Sequence, residues 1–196
     1  MSAPSRTSVA EIVRAGGEIL ERSGVAGLTM QAVALEVGVR APSLYKHVAG
    51  RDDLVRLIAE DAARDLGERI DAAAPPGMPP REARGAAARA LRTFAAARPV
   101  IFRAVVTGAQ GARAGVEVSR RASATVLRIA EELAGPDHAL EAARTLTAWA
   151  SGFVGMELAG AFRLGGDVDA AFEFGVLRLA DALTVADPGV RREDPR

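Results

Sequence analysis

The 196-residue sequence contains no cysteine, which excludes disulfides, thiolate metal sites and a cysteine nucleophile. Asparagine is absent too, and the basic residues are almost all arginine, a bias that reads as coding preference rather than function. Histidine occurs only at His47 and His138, in different halves of the chain. Neither a histidine metal pair nor a histidine-based dyad is expected from that separation. Net charge is lacking as well: 25 basic side chains cancel 25 acidic ones, so any case for a polyanionic partner rests on local placement. The opening MSAPSRTSV lacks the apolar run of a signal peptide, and a soluble cytoplasmic protein is expected. Gly155 and Gly160 have the glycine spacing of a phosphate-binding loop, but Ala161-Phe162 follows where Lys-Ser/Thr is needed. No enzyme, cofactor or metal is expected.

What the chain has in abundance is alanine, and with it high helix propensity along most of its length. No strand signal appears after Pro80. The length allows one or two compact units with a real core. Residues 1–6 read as an arm ending in Arg6. Thr7 or Ser8 can cap a first helix with Val9, Ile12, Val13, Gly16, Ile19 and Leu20 on its apolar face, ended by Ser23-Gly24.

Residues 29–54, TMQAVALEVGVRAPSLYKHVAGRDDL, read as two short helices, a tight turn between them, and the start of a long third. Val33, Val37, Val39, Leu44 and Val48 are the apolar positions. Ala34 lets the helices approach closely, and Gly38 supplies the left-handed backbone after the first. That is helix-turn-helix spacing. Thr29 is a good N-cap, and Pro42 sits where a missing N–H is harmless. The second helix then displays Ser43, Tyr45, Lys46 and His47 outward. Arg40, Lys46 and Arg51 are positive, and no acid occurs between Glu36 and Asp52. Such a surface faces an anion, and double-stranded DNA is the natural candidate. Ala41, Pro42 and Ser43 lie nearest the base edges, with Gln31 close by. Tyr45, Lys46 and Arg51 suit phosphates, and Thr29 either joins them or only caps its helix. His47 either donates to DNA or packs at the helix end.

Beyond this unit, a fourth helix runs from Arg51 to about Ala74, with Leu54, Leu57, Ile58, Ala62, Leu66 and Ile70 inward. PPGMPP ends it. Residues 81–98 form a helix with Ala87, Leu91 and Phe94 on one face. Residues 100–107 form a short apolar helix carrying Ile101, Phe102 and Val105, and residues 108–115 form a glycine-spaced loop. Residues 114–134 read as one amphipathic helix with Val116, Ser123, Val126, Leu127, Ala130 and Leu133 inside and the Glu117–Arg121 pair outside. A long helix over 136–162 follows, then one capped by Asp167 whose stripe is Val168, Phe172, Val176, Leu179 and Leu183. His138 reads as a helix-start residue rather than a ligand contact.

The run 146–162, LTAWASGFVGMELAGAF, is apolar on nearly all sides, yet it is marginally short for a membrane span and contains Glu157. An all-round apolar helix in a soluble protein must be buried from two directions. The expectation is a homodimer whose last two helices make a four-helix interface. Leu158, Phe162, Phe172, Val176, Leu179 and Leu183 are assigned to it, and Gly152, Gly155, Ala159 and Gly160 allow close approach. Glu157 is either a pocket acceptor for a cationic ligand or an interface carboxylate paired with Arg144 or Arg163.

The segment LTMQAVALEVGV, followed after a short gap by SLYKHV and a charged helix start, resembles the DNA-binding domain of the tetracycline-repressor (TetR) family. Leu44-Tyr45-x-His47-Val48 is its most specific part. In the second half, Trp149 through Phe172 is similar to the C-terminal domain of the TetR subgroup with a Trp…His-Gly motif, and Ala97–Phe102 matches another of its segments loosely. Gly152 or Phe153 stands where that motif's histidine belongs, so the histidine's role does not carry over. The resemblance implies an all-α protein of about nine helices. A three-helix DNA-binding domain would span 8–68, and a helical ligand-binding and dimerisation domain 79–187. It further implies a repressor released from an inverted-repeat operator by a small, mostly apolar effector. Phe94, Phe102, Trp149, Phe153 and Met156 are then cavity walls rather than plain core, with Arg103, Gln110 and Thr145 as polar contacts. The alternative is a helical small-molecule-binding protein without operator binding; the basic residues around the recognition helix argue against it.

Overall fold

In a computed structural model the described residues are 7–107 and 114–184, and all their regular structure is helical. Ten α-helices follow in order: α1 (Val9–Gly27), α2 (Met30–Glu36), α3 (Ala41–Leu44), α4 (Arg51–Ala73), α5 (Pro80–Ala97), α6 (Pro99–Thr107), α7 (Val116–Ala122), α8 (Ala124–Ala134), α9 (Ala139–Leu158) and α10 (Val168–Leu183). Gln110 lies outside the described residues.

Local chemistry sets the first boundaries. Ser8 opens α1 with a reciprocal capping box: its hydroxyl accepts from the Glu11 N–H at 3.1 Å, and its own N–H donates to the Glu11 carboxylate at 2.8 Å. Gly24 (φ +64°) breaks the helical path three residues before α1 ends. Thr29 caps α2 by accepting from the Ala32 N–H at 3.1 Å. Gly38 (φ +71°) then turns the chain left-handed, and the Val39 N–H closes back on the Ala34 carbonyl at 2.9 Å. Helix α4 has 23 residues, about 34 Å at 1.5 Å per residue, enough to run from the helix-turn-helix deep into the C-terminal half.

One apolar interior crosses the expected domain boundary. It begins with Ile12, Leu28, Val33 and Leu44, continues through Leu54 and Ile58, and ends on Phe94, Phe102, Val154 and Phe172. Gly16 makes the α1–α4 crossing close: a Cβ there would stand 3.0 Å from the Ile58 Cδ1 atom. A second cluster, with Ile70, Ala87, Ile129, Leu133 and Leu146, joins the far end of α4 to α5, α8 and α9.

Two expected helices are divided or shortened. Residues 114–134 form α7 and α8, broken at Ser123, because the segments have different neighbours. Ala122 lies against Gly67 of α4, whereas α8 packs chiefly on α9. Val116 and Ser123 are therefore exposed, not inside. Helix α9 stops at Leu158 because Gly160 (φ +61°) closes it: the Ala161 N–H donates to the Met156 carbonyl at 2.9 Å.

Candidate functional site

The helix-turn-helix presents its side chains as the spacing predicts. Leu44 and Val48 are buried beneath α3, while Tyr45, Lys46 and His47 are exposed just past its end. Gln31, Arg40 and Pro42 are exposed beside them; Ala41 and Ser43 are half-buried. Lys46 is the only lysine in the chain and Tyr45 the only tyrosine. Arg51, 42% exposed at its side chain, is also tied into the fold. Its Nε donates to the Leu28 carbonyl and its Nη2 to the Val25 carbonyl, both at 2.8 Å. These bonds commit the guanidinium to bracing the α1–α2 connection against the start of α4. Asp53 braces the same turn: its carboxylate accepts from the Ala49 N–H at 2.8 Å and pairs with Arg56 at 2.6 Å. The Ala49 N–H and then Arg56 hold its pKa below the usual carboxylate value.

A second candidate site lies in the C-terminal half. A pocket of about 50 Å³, open to solvent on one side, lies between α4, α5, α8, α9 and α10, with Ile70, Leu91, Ile129, Trp149 and Leu179 in its walls. Its charged wall residue is Arg84, which is only 5% exposed, with Nε and Nη1 buried and lacking hydrogen-bond partners. Burial lowers its pKa from the ordinary guanidinium value.

Of the described side chains assigned to a ligand, Trp149 alone lines this cavity. Phe94 and Phe102 are fully buried core. Phe153 belongs to an aromatic cluster, 5.7 Å from Trp149, 5.3 Å from Phe172 and 4.8 Å from Phe162 between ring centroids. Thr145 is exposed, and its hydroxyl donates to the Glu141 carbonyl one turn back. Arg103 and Met156 are exposed on the outside. Glu157 pairs with neither Arg144 nor Arg163 but with Arg92 of α5. That guanidinium also reaches Asp169 at 2.6 Å and lies 4.8 Å over the Phe172 ring. The carboxylates, Glu157 first, raise the Arg92 pKa further.

Two of the residues expected at a dimer interface are core instead. Phe172 and Val176 are buried inside the chain, at 0% and 3% exposure. Leu179 lines the cavity, and Leu183 packs on the second core cluster. Leu158 is half-buried against the first cluster, and Phe162 leans on Phe153. The predicted stripe exists, but it covers the chain's own helices. The outward face carries Phe174 (62% exposed) and Leu177 (61%) on α10; Ala148, Gly152 and Met156 on α9, and Ala159 just past its end, are exposed as well.

A family profile described as the tetracyclin repressor-like C-terminal domain matches residues 85–179. The crystal structure of regulatory protein SCO4313 is 26% identical, with a TM-score of 0.72 over 87% of this chain and 94% of that one. BioQ, crystallised with its natural double-stranded DNA operator, is 25% identical, with a TM-score of 0.69 over 92% and 99%. The HTH-type transcriptional regulators Rv1816 of Mycobacterium tuberculosis and Mb1846 of Mycobacterium bovis are 38% identical over 64 residues, 33% of this chain. That stretch spans 27% of their length. The chain belongs to the tetracycline-repressor (TetR) family.

Two residues absent from the sequence reading matter to this TetR chain. Arg84 continues the α5 face of Ala87, Leu91 and Phe94 one turn toward the N-terminus, and that register was its only signal. Glu21 of α1 accepts from the Val100 and Ile101 N–H groups, at 3.1 and 2.8 Å, capping α6 from a helix 79 residues earlier. Nothing in local sequence marks that bond.

Proposed function

We propose that the protein is a DNA-binding transcriptional regulator, acting as a homodimer on an inverted repeat and released from it by a small effector. The observation that carries this reading is the exposed set Gln31, Arg40, Tyr45, Lys46 and His47 around a helix α3 anchored by buried Leu44. It gathers cationic and hydrogen-bonding groups from α2 and from both ends of α3, a short helix narrow enough for the major groove. Ser43 and Gln31 read bases; Lys46 and Tyr45 hold phosphates. Arg51 and Asp53 act indirectly, by fixing the angle between this element and α4.

The dimer forms through the exposed faces of α9 and α10. Phe174, Leu177 and Met156 supply apolar area, and Gly152 with Ala148 and Ala159 lets the partner helices approach closely. Two heads related by a two-fold axis require an operator with the same symmetry. Effector and operator are coupled through α4, which carries Leu54 under the head and Ile70 at the cavity wall. The Glu21 cap on α6 ties α1 into the same frame. Coupling of this kind is reciprocal: whatever effector weakens operator binding must itself bind less well when operator is present.

A mobility-shift titration with DNA from the gene's own upstream region tests the reading. Wild type should retard a fragment containing an inverted repeat and lose it when either half-site is scrambled. Equal retardation of scrambled and intact fragments would overturn it.

A further inference from the structure

We propose that the cavity beside Trp149 binds a compact apolar carboxylate, whose charge is taken by Arg84. The inference rests on the regulatory reading only in calling that molecule the effector; the anion site stands on its own geometry. A guanidinium removed from water needs its donors satisfied or it carries a large desolvation cost. Arg84 has Nε and Nη1 buried without partners among the described residues, and both belong to a side chain in the cavity wall. Asp181 attracts it from further away, but that carboxylate is held by Arg81 at 3.0 Å, while Arg81 and Arg89 repel it. The neighbouring arginines of α5 find their acids on α9 and α10: Arg81 takes Asp181 at 3.0 Å, Arg89 takes Glu173 at 2.8 Å, and Arg92 takes Glu157 and Asp169. Arg84 is the member of this row whose anion the described residues do not supply.

The rest of the lining fixes the remainder of the ligand. Around Arg84 the walls are Leu91, Ile129, Leu146, Trp149 and Val176, with Thr147 the other polar side chain. One cation balances one negative charge. A phosphate dianion would enter with a charge uncompensated among these side chains, which the apolar walls penalise. The buried volume takes the carboxylate end of a short ligand, and the rest of its apolar body lies along the open side near exposed Thr147.

Trp149 is the chain's single tryptophan, so its fluorescence reports on this cavity without labelling. The test titrates protein free of DNA with hexanoate, and separately with 1-hexanol as the neutral counterpart. Wild type should bind hexanoate at least tenfold more tightly than hexanol. Arg84→Met should abolish that preference while still binding hexanol, which shows that the cavity persists. Arg84→Lys should restore part of it. Inorganic phosphate, a charge without an apolar body, should not compete. Equal affinities in wild type, a preference that survives Arg84→Met, competition by phosphate, or no fluorescence response to either probe would each overturn the proposal. Because no DNA is present, hexanoate binding in a protein that fails to retard any upstream fragment would reject the regulatory reading and keep the anion site. The converse result would do the reverse.

Discussion

At the scale of single residues, function here depends on side chains that stability alone does not select. Arg84 places a charge among apolar walls and leaves two donors unsatisfied. Replacing such a group by a hydrophobe of similar length removes a penalty of about 1–3 kcal/mol. Arg84→Met should therefore raise the melting temperature of the ligand-free protein, and a calorimetric scan showing a fall would contradict the buried, unpaired assignment. Lys46 offers a different handle because it carries the only ε-amine in the chain. An amine-selective reagent should modify it readily in free protein and several-fold more slowly with an inverted-repeat fragment bound. Unchanged labelling, followed by mass spectrometry, would remove Lys46 from the interface. The outward set Tyr45, Lys46 and His47 was legible in the sequence because helical spacing around Leu44 and Val48 dictates it. Arg51 was not: a charged residue at a helix start looks free until its bonds to the Val25 and Leu28 carbonyls are seen.

At the scale of elements, periodicity located the helices better than it oriented them. The stripe Val168, Phe172, Val176, Leu179 and Leu183 on α10 is apolar as read, and Asp167 caps the helix with bonds to the Asp169 and Ala170 N–H groups. Yet the stripe faces inward, because Trp149 of α9 claims the adjacent face. Its indole lies so close to Gly175 that a Cβ there would stand 2.1 Å from Cζ2. Only a side chain without Cβ lets α9 and α10 meet this way. A sequence with one apolar stripe and a second, shorter apolar pair cannot by itself say which faces its own chain. The two faces are separable by mutation. Leu177→Asp, or Phe174→Asp, should yield a folded monomer with the wild-type helical signal. Phe172→Asp should instead unfold the chain, since burying an uncompensated charge costs several kcal/mol. Sedimentation combined with circular dichroism distinguishes them; a Leu177→Asp protein that stays dimeric would place the interface elsewhere.

At the scale of the whole molecule, the all-α architecture was legible because alanine-rich helices and proline breaks leave few alternatives. The cavity was not, because it depends on which helix faces meet: α4, α5, α8, α9 and α10 all contribute, and of its described walls only Trp149 is expected from the sequence to touch a ligand. The continuity of the interior was equally hidden. Core contacts run from Ile12 under the head to Phe172 beside the aromatic cluster, with Glu21 capping α6 across the same junction. A displacement at the cavity therefore has packed neighbours all the way to α3. We propose that α3 and the residues just beyond it hold the DNA. Measuring the affinity of wild type and Lys46→Ala for one inverted-repeat fragment, across a range of salt concentrations, tests it most directly. If each protomer loses one phosphate contact, the slope of log affinity against log salt should become shallower by about 0.9 per contact, roughly two in the dimer. Affinity should fall on every sequence alike. An unchanged affinity and an unchanged slope would mean that another surface of the protein holds the DNA.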